Sequence, residues 1–233
     1  MVEAVSACPT SELTANEVDV MRPSAYRLLA RRKAGPVFVK AHDAYRVLKD
    51  SSPLFPADIS RRAVYLVRNP LDVAVSFAAH LGKDIDHAIG LMGVDFSFAT
   101  DTATVPVQLR QFLGNWSDHV CSWLDQEAIP VTPIRYEDLS ESTAEWLEAI
   151  AISSGLETTR PALIRAVEAA SFNRLQSSEI ENDFRERSIA QRGLFFRSGR
   201  VNGWRDVLNL RQVEMVLRKH ERMMARFGYL DKL

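Results

Sequence analysis

Cysteine is scarce in this chain of 233 residues: only Cys8 and Cys121 occur. Two thiols cannot build a disulfide framework, which points to a reducing compartment. Neither sign of charge is in excess. Lys and Arg number 29 against 30 Asp and Glu, a net charge of −1. That argues against a generic nucleic-acid binder, though not against a local basic pocket for a small anion. No stretch approaches the roughly 20 apolar residues of a membrane-spanning helix. No apolar segment follows a charged start, the first basic residue being Arg22, so no secretory signal is read. The expectation is a soluble, cytoplasmic protein without membrane or nucleic-acid partners. His42, His80, His87, His119 and His220 show no ligand spacing and neither cysteine sits in a pair motif, so no metal is expected. Repeats and long linkers are also lacking, and residues 1–233 are read as a single domain. Glycine is missing from the first 34 residues; Gly35 is the first.

What remains is ordinary globular composition, 46% apolar and 25% charged, enough to bury a core and to exclude disorder. Thr14 and Glu17 have capping-box spacing, so a short helix is expected there. Arg22-Pro23 then restarts a helix through about Arg32. Residues 36–42 read as a strand entered from Gly35, and residues 63–67 (AVYLV) as a second, apolar on both faces. Arg68 ends it, and Asn69-Pro70 opens a helix as N-cap and first helical residue. A helical region carries Ile85, Ile89 and Met92. Residues 107–125 are expected to form one long amphipathic helix. Residues 130–136 read as a third strand, followed by helices around Trp146–Ala151 and Pro161–Ala169. The Arg-rich stretch 176–203 reads as a loop or lid, and a last helix starts at Asn209. Strands alternating with helices predict a parallel α/β sheet, with ligands outside the carboxyl ends of its strands.

That rule singles out three places. Lys40 and His42, two apart on a strand, would share a face and offer a cation beside a base. The pair also reads as a surface lysine and a structural histidine. Residues 68–76 combine an arginine fork, a capped helix start and the Ser76 hydroxyl, a plausible phosphate clamp. They also read as a capped helix with a surface ion pair. Tyr136 ends the third strand. In addition, Arg197-Ser198-Gly199 and Gly203-Trp204-Arg205 have the glycines that let backbone amides approach an anion, or they form a solvated loop.

Taken together, these segments resemble the sulfotransferases that use 3′-phosphoadenosine 5′-phosphosulfate. Lys40-Ala41-His42 stands where that family has Lys-Thr-His. Residues 68–76 match its Arg-Asn-Pro-x-Asp-x-x-x-Ser element, and Tyr136-Glu137-Asp138-Leu139 its Tyr-Glu-Asp-Leu strand end. Ser171-Phe172 resembles its Ser-Phe pair, and Arg197, Gly199, Trp204 and Arg205 its late Arg-x-Gly and Trp-basic elements. The resemblance runs from about residue 36 to the C-terminus. It implies a P-loop-NTPase-like three-layer α/β fold, a parallel sheet flanked by helices. His42 would be the general base toward an acceptor hydroxyl of an alcohol or phenol, with Lys40 stabilising charge in an in-line sulfuryl transfer. Arg68, Ser76, Arg197 and Gly199 would bind the donor's 3′-phosphate, Tyr136 the adenine edge, and Phe172 the ring. Adenosine 3′,5′-bisphosphate (PAP) would be the second product, and no metal is used.

The resemblance also implies a gap. The family's first strand and its Pro-Lys-Ser-Gly-type phosphate loop have no counterpart, since residues 1–34 hold no glycine. The expectation is a chain lacking that first segment of about 30 residues or more. It would accordingly be a poor catalyst, less stable than its relatives. Ala41, Ser198 and Asn202 also depart from the pattern, and Asn202 is a residue that tolerates left-handed geometry. The competing reading is a non-catalytic remnant that binds PAP or a protein partner. A P-loop kinase relative ranks last, for want of Gly-x-x-x-x-Gly-Lys-Ser/Thr. Residues 84–104 and 176–193 are candidate acceptor walls, where Phe96, Phe98 and Phe184 would flank an apolar acceptor or belong to the core. The C-terminal helix would cover a homodimer seam or the sheet.

Overall fold

The computed structural model describes residues 2–33, 35–98, 109–184 and 193–233. In chain order the elements are α1 (Glu3–Ser6), α2 (Ala15–Arg32), β1 (Ala63–Val67), α3 (Pro70–Leu81), α4 (Ile85–Met92), β2 (Phe96–Phe98) and β3 (Gln111–Gly114). They continue with α5 (Trp116–Leu124), β4 (Val131–Arg135), α6 (Tyr136–Glu141), α7 (Thr143–Ser153), α8 (Arg160–Ala169), α9 (Phe172–Asn182) and α10 (Leu210–Arg226). Two compact units result: Met1–Ala63 with Val94–Thr132, and Val64–Gly93 with Pro133–Leu233.

The fold is α/β. β1 pairs with β4. Their starts are adjacent, Ala63 N–H donating to the Pro130 carbonyl at 2.9 Å. Their ends are adjacent too, Asn69 N–H donating to Glu137 at 3.0 Å. The pair is therefore parallel, with Arg68 and Tyr136 at its carboxyl end. β2 and β3 pair antiparallel.

The expected strand over 36–42 does not form; these residues carry no regular structure. Val37, Phe38 and Val39 are exposed, so they lack the burial that stabilises a strand. Just beyond, the backbone spends its hydrogen bonds on side chains of α5 and on Phe112 instead of a ladder. The expected helix over 107–125 is corrected as well. Residues 107–108 lie outside the described residues, and 111–114 are β3. Gly114 turns the chain at φ +62°, and Asn115 caps α5 by accepting from Asp118 N–H at 2.9 Å. The two helices expected around Thr14 and Arg22 are one helix, α2. Its start is a capping box, with Glu17 N–H on Thr14 Oγ1 at 3.3 Å and Thr14 N–H on Glu17 at 2.8 Å, and Pro23 sits inside it. The expected loop over 176–203 begins as helix α9.

In the first unit, Val18 and Ala25 of α2 pack with Val2, Leu13 and Leu109. Beside them lies a buried ionic cluster. Arg22 donates to Asp43 at 2.7 and 3.1 Å and to Asp19 at 3.4 Å. Arg46 reaches Asp19 at 2.5 Å, and Arg110 bonds Asp19 through Nε at 3.0 Å. Burial opposes the Arg22 charge, but Asp43 and Tyr26 outweigh it and hold its pKa above the ordinary value. In the second unit α3, α4 and α10 pack on one another. Leu71, Ala74, Ala88, Ile89, Val216 and Met224 are buried there. Asn69 caps α3 by accepting from Leu71 N–H at 3.0 Å, with Pro70 next. Asn209 and Gln212 form the capping box of α10.

Removing one partner of a buried ion pair strands the other, at about 3–5 kcal/mol. Asp43→Ala is therefore expected to lower the unfolding free energy by about 3 kcal/mol or more. Denaturant melts check this; a loss below about 1 kcal/mol, the scale of an exposed ion pair, would show that Arg22 finds other partners.

Candidate active site

The carboxyl ends of β1 and β4 gather four residues that are far apart in the chain. Arg68, just past β1, lies with its guanidinium carbon 4.2 Å from the centre of the Tyr136 ring. Tyr136, the first residue of α6, donates its hydroxyl to the Gly199 carbonyl at 2.8 Å. Gly199 lies against the Phe172 ring so closely that a Cβ there would sit 2.7 Å from Phe172 Cδ2. Its φ of +60° is the left-handed region, where glycine is favoured. Arg68, Tyr136, Gly199 and Phe172 thus form one chain of contacts.

Two buried carboxylates hold the loop that carries Gly199. Asp72, in the first turn of α3, accepts from Asn202 N–H at 2.8 Å and Trp204 N–H at 2.9 Å. Hydrogen bonds to a charged group contribute about 1.5–3 kcal/mol each. Asn202 takes the left-handed conformation, φ +59°, as its residue type predicts. Glu179 of α9 accepts from Phe195 N–H at 2.6 Å and Phe196 N–H at 2.9 Å. Gln176 donates to the Phe196 carbonyl at 2.6 Å. Asp72 is visible in the Asn-Pro-x-Asp pattern. Glu179 has no sequence signal beyond lying on a helix that was not expected.

The other residues of this half are placed less tightly. Ser76 is exposed on α3 and donates to the Val73 carbonyl at 3.1 Å. Arg197 is exposed. Arg68 donates through one terminal nitrogen to the Arg200 carbonyl at 2.7 Å. Its Nε is buried with no hydrogen-bond partner among the described residues. A buried donor without an acceptor is uncommon in native proteins, and a phosphate oxygen would satisfy it. Beneath the site, Glu137 also accepts from the Tyr229 hydroxyl at 3.1 Å. Burial and that carboxylate push the Tyr229 phenol above its usual range. Trp204 is buried, and Arg205 lies 4.9 Å from its ring centre.

Lys40 and His42 belong to the other unit and are exposed. Without a strand over 36–42, they do not share a strand face. The backbone at His42 is nonetheless fixed: its carbonyl faces His119 Nε2 at 3.1 Å. Burial holds the His119 pKa below the ordinary histidine value, and the bond to the His42 carbonyl only partly offsets this. The lack of ligand spacing among the histidines leaves His119 without a signal in the sequence. Phe96 and Phe98 pack edge to face at 5.0 Å between centres, and Phe184 packs on Phe195 at 4.7 Å. Parts of both proposed acceptor walls, residues 99–104 and 185–192, lie outside the described residues. Among the described residues no group of three or more His, Cys, Asp or Glu is placed to hold a metal ion. No helix among them is long and apolar enough to cross a membrane.

Comparison with known proteins gives the family. Residues 11–228 match the sulfotransferase domain. The chain is 23% identical over 211 residues to sulfotransferase 2A6 of Rattus norvegicus, covering 87% of this chain and 68% of the rat protein. It is 24% identical over 216 residues to cytosolic sulfotransferase 14 of Arabidopsis thaliana, covering 87% of this chain and 60% of that protein. The chain thus spans about two thirds of the length of these relatives. Mouse sulfotransferase SULT7A1 complexed with PAP has a similar fold, with a TM-score of 0.58, 20% identity, and coverage of 88% of this chain and 74% of that one. So does retinol dehydratase in complex with androsterone and the inactive cofactor PAP, at 0.59, 19%, 88% and 57%. The chain belongs to the sulfotransferase domain family. Its reaction class is sulfuryl transfer, with 3′-phosphoadenosine 5′-phosphosulfate as co-substrate.

Two outcomes test this geometry. Gly199→Ala combines a left-handed backbone with a clash against Phe172, and should cost about 1–3 kcal/mol of stability; an unchanged thermal midpoint would mean the ring yields freely. His119 has a folded pKa below its unfolded value of about 6.5. Its contribution to stability is therefore complete above that pH and lost as pH falls through the folded pKa. Unfolding free energies of the wild type relative to His119→Gln should decline between about pH 7.5 and 5.5; parallel pH curves would refute the lowered pKa.

Proposed function

We propose that this chain binds the donor nucleotide through Arg68, Ser76, Tyr136, Phe172, Arg197 and Gly199, and transfers its sulfuryl group to a small alcohol or phenol. The observation that carries the reading is the contact chain Arg68–Tyr136–Gly199–Phe172, four residues that the family resemblance assigns to the donor nucleotide and that touch one another in turn. The orphaned Arg68 Nε supports an anion there. Arg68 and Arg197 supply the positive charge for the 3′-phosphate, with Ser76 adding a hydroxyl. Phe172, backed by Gly199, offers a flat apolar face to the adenine. Tyr136, whose hydroxyl is engaged by Gly199, acts in this reading mainly by holding the loop and the Arg68 plane.

His42 takes the proton of the acceptor hydroxyl. The acceptor oxygen forms a bond to sulfur as the bond from sulfur to the 5′-phosphate oxygen breaks, and the electron pair leaves on PAP. Lys40 stabilises the charge that develops between the two oxygens. A soluble cytoplasmic setting fits both the low cysteine content and the relative named as a cytosolic sulfotransferase. The exposed, irregular setting of Lys40 and His42 favours a second reading, binding of PAP without turnover.

The test pairs calorimetric titration of PAP with a transfer assay on the same protein. Arg68→Ala is expected to weaken PAP by about 10–100-fold, the equivalent of one charge-assisted bond. His42→Ala is expected to lower transfer by about 100-fold or more with PAP affinity unchanged. Equal PAP affinity for Arg68→Ala would remove the donor site from this place. Saturable PAP binding by the wild type with no transfer to any alcohol or phenol would select the second reading.

A further inference from the structure

Residues 42–45 are each held at one backbone group, although no strand contains them. The His42 carbonyl faces His119 Nε2 at 3.1 Å. The Asp43 carbonyl accepts from Trp123 Nε1 at 2.9 Å. Ala44 N–H donates to the Phe112 carbonyl at 2.8 Å. Tyr45 N–H donates to Ser122 Oγ at 3.0 Å, and that hydroxyl donates in turn to the His119 carbonyl at 2.7 Å. His119, Ser122 and Trp123 stand at i, i+3 and i+4 on α5, which places them on one face. A carbonyl oxygen only accepts, so His119 Nε2 carries the hydrogen.

We propose that His119 is a positioning residue for His42: donating from Nε2 to the His42 carbonyl, beside Ser122 and Trp123, it fixes the backbone from which the general base projects. The proposal rests on the reading of His42 as the base, and adds to it a residue that touches neither the donor nor the acceptor. A base must sit within hydrogen-bond reach of the proton it takes, and a misplacement of about 1 Å can cost about 100-fold in rate.

Three variants test it. His119→Phe keeps an aromatic ring and removes the donor. His119→Gln restores an N–H near the position of Nε2, and His119→Asn carries an amide too short to reach. The Phe and Asn variants are expected to lower kcat by about 10–100-fold with KM for the donor within about twofold, and the Gln variant to recover to within about fivefold. Amide hydrogen exchange at Ala44 and Tyr45 should quicken by about tenfold or more in the first two and stay near wild type in Gln. Wild-type kcat in His119→Phe and His119→Asn would overturn the proposal, as would a Gln variant no better than Asn. Unchanged exchange at Ala44 and Tyr45 would also overturn it, and that readout needs no turnover. Should His119→Phe lose its cooperative melt, the Gln and Asn pair decides alone. His42→Ala with full activity would instead refute the general-base reading, leaving the backbone tie to be judged by exchange.

Discussion

The loop around Gly199 keeps its shape because Asp72 is buried with both oxygens occupied. Asp72 sits one helical turn beyond Arg68 and accepts from the amides of Asn202 and Trp204. Its position in the first turn of α3 also suits the positive end of the helix dipole. The Arg68 end of β1 and the C-terminal loop are thereby held to the same carboxylate. The contacts of Gly199 lie three residues from that tie. Gly199, three residues before Asn202, lies against Phe172 and accepts from the Tyr136 hydroxyl. Asn202, left-handed, makes the turn that lets both amides point at one carboxylate. Glu179 does the same work at the other end of the loop, on Phe195 and Phe196.

Much of this half was legible in the sequence because its signals are local. Asn69-Pro70 announces a helix start whatever surrounds it, and the Asn209 and Gln212 box does the same. The tolerance of Asn202 for positive φ is a property of one side chain. Arg68, Tyr136, Phe172 and Gly199 belong to the ordered motifs on which the family resemblance rests. The failures are of another kind. The apolar run Val37-Phe38-Val39 has strand composition, but composition does not supply a neighbour to pair with. Gly114-Asn115 is a break and a cap that the apolar periodicity on either side concealed. Helix α9 is polar nearly all round, with Glu179 its buried residue, so no apolar stripe marked it.

The unit that carries His42 shows why local signals fall short there. His42 is next to Asp43, and Asp43 is tied to Arg22 on α2 and to the Phe112 amide on β3. Asp19 draws in Arg46 and Arg110 beside the same guanidinium. These partners are separated by tens of residues, and nothing in their spacing announces them. Ion pairs this buried owe their place to mutual compensation, since each charge alone would be costly to remove from water. The cluster sets where residue 43 lies and so limits where residue 42 can be.

A strand ladder is indifferent to most side chains, because it is made of backbone atoms alone. The segment carrying His42 is held in another way, by an imidazole, an indole and a hydroxyl on α5 and by one backbone bond from Ala44 to Phe112. Such an arrangement moves the specification of that segment's path into the identity of three residues more than seventy positions downstream. Drift in residues 36–39 would then be tolerated to a degree that drift at 119, 122 and 123 would not. In a collection of descendants of this chain, the record of where His42 sits would be written on the helix rather than beside the histidine.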